Sequence, residues 1–248
     1  MRIWIIVILI VLLMVFSSCA VQKSASPVTA SSEEHYHSFL IEGRSYLKQS
    51  DYGKAADYLK KAIAIKPNSS KAHNLLGIAY FQQKDYTSAR VEYEKAIDLN
   101  PSYALAYNNL GSVHFMLGEF DEAKEMFKKA LSLYPELVSA HYSLGTLLVA
   151  QGQIEEGTHY LRKGIELSPE FLEKSKAFVA DFTSYTIGTP ELFFTYAKLY
   201  ASVGLVEKTI EYLTKAKRAG FKDWQRIYIE KEFEEIREDQ RIKNFKGL

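Results

Sequence analysis

The chain is poor in several residue types, and each shortage removes a class of answer. It has 1 cysteine in 248 residues, so no internal disulfide forms and no paired thiolates serve a structural zinc site. Its 31 Lys+Arg stand against 30 Asp+Glu, a net charge of +1, which gives no basic stripe to attract nucleic acid. With 6 prolines and 13 glycines beside many Ala, Leu, Lys, Glu and Tyr, little interrupts helices. No G-x-G-x-x-G or G-x-x-x-x-G-K-[ST] phosphate loop, G-x-S-x-G elbow or H-E-x-x-H zinc helix is present. What remains is substantial: 47% of the residues are apolar, enough to bury a core and to exclude a wholly disordered polar chain.

The longest apolar run is at the start. Ile3 to Phe16 follow Arg2 without a polar residue. As a helix this run reaches roughly 21 Å at ~1.5 Å per residue, short of a ~30 Å hydrocarbon core. It fits a signal-peptide apolar region better than a membrane span. The sequence Phe16-Ser17-Ser18-Cys19 follows, and it resembles the lipobox of bacterial lipoproteins. That resemblance implies cleavage after residue 18 and lipid on Cys19, with Phe16 departing from the usual Leu. Several acyl chains at ~0.8 kcal/mol per buried CH₂ hold a protein where one holds only marginally. Ala20 after the cysteine, instead of Asp, resembles outer-membrane sorting, which implies an envelope protein facing the periplasm. An uncleaved anchor with an incidental cysteine, facing the cytoplasm, stays open. Ala20 to Glu34 are mostly small and polar, a tether with a reach of roughly 20 Å.

A fixed interval then dominates. Gly43, Gly77, Gly111 and Gly145 stand 34 apart, as do Pro67, Pro101, Pro135 and Pro169. Ala55, Ala89, Ala123 and Gly157 form another column, and Ala62, Ala96, Ala130 and Gly164 a third. Tyr52, Tyr86, Phe120 and Ile154 form a fourth. The chain resembles the tetratricopeptide repeat, a 34-residue helix–turn–helix unit, which implies an all-α solenoid. The small columns belong where helices touch, since a larger side chain there overpacks by ~1–3 kcal/mol. Proline marks the passage between units. Asp51, Asp85 and Asp121 are expected to cap second helices. Phe39, His73, Tyr107 and His141 fill the large position of the first helix, the histidines as packed rings with a satisfied nitrogen. Gly157 and Gly164, replacing alanine, are expected to weaken their helix by ~1 kcal/mol each.

After Pro169 the interval breaks. Ala197, Tyr200, Leu213 and Ala216 match the columns again, displaced by eighteen residues. Phe171, Leu172, Phe178, Phe182 and Tyr185 suggest an extra amphipathic helix ended by Gly188-Thr189-Pro190. Trp224, Ile227, Phe233, Ile236, Ile242 and Phe245 read as a terminal cap, which a stacked array needs. The expected organisation is thus a signal peptide (1–18), a lipidated cysteine and tether (19–34), four repeats (35–169), an inserted helix (170–189), a divergent repeat (190–223) and a cap (224–248).

In the resembled family the first helix of each unit lines a concave face. This places Leu40, Arg44 and Leu47 in a groove with Lys71, Asn74, Ile78 and Phe81. Leu105, Asn108, Ser112 and Phe115 follow, then Tyr142, Thr146 and Val149. Asn74 and Asn108, one repeat apart, each offer a donor and an acceptor to an extended chain, or are simply solvated. A clamp for a terminal carboxylate, which some family members carry, finds Leu40, Leu75 and Leu105 at its places. The expected occupant is an apolar or aromatic protein segment.

The expected role is therefore a membrane-tethered, non-enzymatic scaffold with protein partners through the groove and the membrane through lipid. No cofactor, metal, nucleic acid or small-molecule substrate is expected. Similar lipoproteins include pilotin-like factors that assemble a type IV pilus secretin and adaptors for peptidoglycan hydrolases. His35 and His37 lack a third ligand nearby, and Glu232, Glu234, Glu235 and Glu238 resemble a solvated helix face. A cell-wall glycan enzyme using paired carboxylates stays open, because folding sets that geometry.

Overall fold

The computed structural model describes residues 30–171 and 190–245. The signal-peptide and lipobox expectations, and most of the inserted helix, lie outside them. All regular elements among the described residues are helices. Four hairpins come first: α1 (Ala30–Lys48) with α2 (Tyr52–Ile65), α3 (Ser70–Gln82) with α4 (Tyr86–Leu99), α5 (Ala104–Leu117) with α6 (Phe120–Leu133), and α7 (Val138–Ala150) with α8 (Ile154–Leu167). A fifth pairs α9 (Pro190–Ser202) with α10 (Val206–Arg218). Two short helices, α11 (Arg226–Ile229) and α12 (Gln240–Lys243), flank a 3₁₀ turn at Lys231–Phe233.

The glycine column explains the hairpins. A Cβ added at Gly43 would lie 2.6 Å from Leu59, one at Gly77 2.6 Å from Tyr93, one at Gly111 2.6 Å from Phe127 and one at Gly145 2.7 Å from Leu161. Each glycine therefore admits a large side chain from the paired helix into its own backbone surface. Ala55, Ala89 and Ala123 and Ala62, Ala96 and Ala130 are fully buried, so both small columns face packed helices. Each buried large partner contributes ~1.5–3 kcal/mol of apolar burial.

In the fourth hairpin, the two glycines that replace alanine have packing reasons. A Cβ at Gly157 would lie 2.8 Å from the Gly145 carbonyl oxygen and 2.8 Å from the Val149 nitrogen. The backbones of α7 and α8 approach each other there. A Cβ at Gly164 would lie 3.0 Å from the Tyr142 ring. Asn74 and Asn108 occupy the positions equivalent to Tyr142, where the partner is alanine. The larger ring is accommodated by the smaller partner, so the expectation of simple weakening misses the compensation.

The turns inside the hairpins carry a column the interval did not reveal. Ser50, Lys84, Gly118 and Gly152 occupy one repeat position, with φ of 61°, 63°, 79° and 80°. Glycine suits this left-handed conformation, and serine and lysine are strained there. Asp51 and Asp85 cap α2 and α4 as expected, accepting from the backbone N–H of Lys54 at 3.2 Å and of Ser88 at 3.1 Å. Asp121 does not cap. The N-cap of α6 is Glu119, which makes no side-chain cap bond, and Asp121 lies in the first turn. Glu119 instead bonds Arg90 and, at 2.6 Å, His114.

The first helix starts inside the expected tether. Glu33 reaches Lys66 at 2.9 Å and Tyr36 bonds Ser69 at 2.7 Å, which ties α1 to the loop after α2. At the far end, Phe194 of α9 stacks on Phe221 at 4.3 Å and meets Phe233 at 5.5 Å. The Arg226 guanidinium lies 4.6 Å from the Phe194 ring centre and bridges Glu191 and Glu230. Trp224, Ile227, Ile236, Ile242 and Phe245 are buried in the same cluster. These residues cover the last hairpin, as a cap must.

Candidate functional site

A groove of about 340 Å³ opens between α3 and α5, at the second and third repeats. Its lining is apolar at Ile78, Phe81, Leu105 and Phe171 and amide or hydroxyl at Asn74, Asn108, Asn109, Ser112 and Ser139. Gln82 and Tyr93 complete the wall, so no lining residue carries a charge. Leu105 is the most open of its apolar residues, at 43% exposure.

Six of the residues expected in the groove line it: Asn74, Ile78, Phe81, Leu105, Asn108 and Ser112. Arg44 and Lys71 are exposed but do not line it. The Arg44 charge does reach Tyr103, whose phenol lies near the Asn74 side chain. Burial raises the pKa of that phenol, and Arg44 and Asn74 partly oppose the rise.

Four expected groove residues are core instead. Phe115 is 1% exposed and packs among Phe81, Phe127 and Leu148. Tyr142 is fully buried, with its ring 5.2 Å from that of Phe171 and its hydroxyl donating to the Ser168 carbonyl at 3.3 Å. Burial pushes its pKa far up. Thr146 bonds the Tyr196 hydroxyl at 2.8 Å and Val149 joins the same cluster. For Tyr142, Thr146 and Val149 the reason is the fifth hairpin: α9 packs on α7 and α8 and covers the fourth unit's groove positions, whereas Phe115 is buried between its own unit and the units on either side. The open groove therefore ends near Ser139 and Phe171.

Four lining residues with polar groups were missed from the sequence: Gln82, Tyr93, Asn109 and Ser139. Asn109 donates to the Asn74 side-chain oxygen at 2.9 Å, an amide link between neighbouring repeats. Ser139 lines the groove with its hydroxyl unpartnered. For Asn109 and Ser139 the signal was available: Asn109 follows Asn108, and Ser139 stands one interval after Leu105.

The histidines behave as packed fillers. His73 lies 2.6 Å from Glu92 and 2.9 Å from the Pro67 carbonyl, and His141 lies 2.8 Å from the Pro135 carbonyl. The exposed His37 pairs with Glu33 at 3.3 Å. Among the described residues no group of three His, Cys, Asp or Glu side chains could hold a metal, and no helix is long and apolar enough to cross a membrane.

Comparisons with known proteins bear on the repeat fold. Family descriptions match along the array: "TPR repeat" at residues 43–84 and 77–118, and "Tetratricopeptide repeat" at 104–137 and 138–171. Among curated proteins no match is found. Similar solved structures include pilF of Pseudomonas aeruginosa, with 19% identity, a TM-score of 0.54 and coverage of 83% of this chain and 97% of that one. Another is the Thermobaculum terrenum O-GlcNAc transferase, with 21% identity, a TM-score of 0.53 and coverage of 56% and 27%. The first repeat domain of Spaghetti (RPAP3), bound to the HSP90 peptide SRMEEVD, shows 28% identity, a TM-score of 0.46 and coverage of 48% and 94%. With matches running from residue 43 to residue 171, over half of the chain, the protein belongs to the tetratricopeptide-repeat family.

Proposed function

We propose that the protein is a membrane-anchored scaffold whose groove between α3 and α5 takes segments of partner proteins and so supports assembly of an envelope complex. Repeat proteins of this family are generally non-catalytic and mediate protein–protein interaction. The observation that carries the reading is the groove itself: an uncharged cleft with apolar walls and several amide and hydroxyl groups. Such a lining favours apolar side chains and can still bond the backbone between them. The anchoring half of the reading rests on Ile3 to Phe16 and the Phe16-Ser17-Ser18-Cys19 sequence, with Cys19 carrying the lipid and the repeats facing the periplasm.

The test is affinity purification of the full chain from membranes after mild crosslinking. Cys19→Ser should release the chain from the membrane fraction. Leu105→Glu, at an exposed groove position, should reduce partner recovery while leaving helical content unchanged. A co-purified secretin would indicate a pilotin-like role, and a co-purified peptidoglycan hydrolase an adaptor role. Recovery of every partner unchanged by Leu105→Glu would refute the groove, and a cleared band on a cell-wall zymogram would favour an enzyme.

A further inference from the structure

We propose that the groove recognises an internal, uncharged stretch of a partner by accepting one backbone N–H on the side-chain carbonyl of Asn108, and that Ser143 leaves that carbonyl free. The proposal deepens the protein-segment reading of the groove and rests on it. Its basis is a comparison of two equivalent places in the array. At the second repeat the Asn74 carbonyl is occupied: Asn109, thirty-five residues later, donates to it at 2.9 Å. One interval on, the same two positions hold Asn108 and Ser143. There the bond is missing. The Asn108 side-chain oxygen and the Ser143 hydroxyl are both buried and without a partner. Asn108 is 3% exposed and lines the groove. A serine hydroxyl ends one bond short of where an asparagine amide ends, so the link that closes the second repeat is not made at the third.

A buried carbonyl without a donor is costly, and a ligand that brings a donor removes that cost. The terminal torsion of an asparagine is soft, which lets the amide turn toward the opening. The donor must be neutral. The lining has no carboxylate to pair with an ammonium and no cation to pair with a chain-terminal carboxylate, and an unpaired charge in such a place is strongly disfavoured. A peptide N–H flanked by apolar side chains meets both conditions, because Ile78, Phe81 and Leu105 stand on the walls beside Asn108.

The experiment uses the full chain in detergent micelles. The probes are short peptides of leucine, valine, phenylalanine and alanine with serine spacers, prepared N-acetylated and C-amidated. A second set carries free carboxylates, and a third is N-methylated at successive amides. Blocked peptides should bind more tightly than those with free carboxylates. One N-methyl position should cost about tenfold in affinity, the worth of one hydrogen bond. In Asn108→Leu that position-specific cost should disappear; Leu40 fills the equivalent place in the first repeat and is buried there, so leucine is compatible with the unit. The proposal is overturned if no single N-methyl position matters in the unaltered chain, if the pattern persists in Asn108→Leu, or if free carboxylates are preferred. Failure of every peptide to bind the unaltered chain would remove the protein-segment reading itself.

Discussion

Gly157→Ala restores the residue that stands at the same place in the first three repeats, and the structure predicts that it destabilises the fold. On helix propensity alone the change gains ~1 kcal/mol. Against this, the new methyl would lie 2.8 Å from two backbone atoms, the Gly145 carbonyl oxygen and the Val149 nitrogen, and 2.7 Å from Val149 Cγ2. Backbone cannot turn aside as a side-chain end can, so α7 and α8 must separate. Overpacking of this kind costs ~1–3 kcal/mol, and backbone contact puts Gly157→Ala toward the upper end. The net loss is about 1–2 kcal/mol, a fall in Tm of roughly 2–8 °C for a chain of this size. Gly164→Ala is the matched control. Its methyl would meet the Tyr142 ring at 3.0 and 3.1 Å, and a ring can shift by a few tenths of an ångström. Gain and cost there should nearly cancel, within ~1 kcal/mol. Thermal and urea unfolding followed by far-ultraviolet circular dichroism read both variants. A Tm raised by Gly157→Ala would show that the α7–α8 approach is not tight and would refute the reasoning.

Lys84→Gly, at a φ of 63°, should stabilise by up to ~1 kcal/mol, since relief of left-handed strain exceeds the added freedom of the unfolded chain; an unchanged or lowered urea midpoint contradicts it. Thr146→Val and Tyr196→Phe, which divide the 2.8 Å bond between the fourth and fifth units, should show a coupling of ~1 kcal/mol in a double-mutant cycle. Additive effects would mean that α9 is not held on α7 by this bond. Burial, and then the charges of Lys163 and His159, lower the His141 pKa below 6.5, against a partial rise from its bond to the Pro135 carbonyl. The unfolded chain therefore takes up the proton first on acidification, so stability should fall as the pH drops through about 6.5 and level off below the folded-state value. His141→Tyr, which copies Tyr107 one repeat earlier, should flatten that part of the pH profile. An identical profile in both proteins would assign the dependence to other groups.

The architecture was largely legible in the sequence because its cause is local and repeated. Gly43, Gly77, Gly111 and Gly145 recur at a fixed interval, and each lies under a large side chain of the paired helix. Asp51 and Asp85 could be read as caps for the same reason, whereas Asp121 was two residues out of register with the Glu119 that stands at the equivalent place. The left-handed turn column was hidden because Ser50 and Lys84 do not announce a positive φ, which Gly118 and Gly152 adopt freely. The site was half legible. Asn74, Ile78, Phe81, Leu105, Asn108 and Ser112 follow from the repeat register together with the family resemblance, which puts first helices on the concave face. Tyr142, Thr146 and Val149 share that register but are covered by α9, which arrives after the interval has broken. Their burial is a property of how the fifth hairpin packs, and no spacing inside the first four encodes it. Gly164 shows the same limit: its reason is the ring of Tyr142, twenty-two residues earlier.

The central claim, that partner segments lie in the groove of the second and third repeats, is tested most directly by site-specific photocrosslinking in intact membranes. A photoreactive residue at Leu105, on the groove wall, should give a defined protein adduct, and one at Glu94, exposed on α4 and outside the groove lining, should not. The same adduct from both positions, or an adduct from Glu94 alone, would contradict the account.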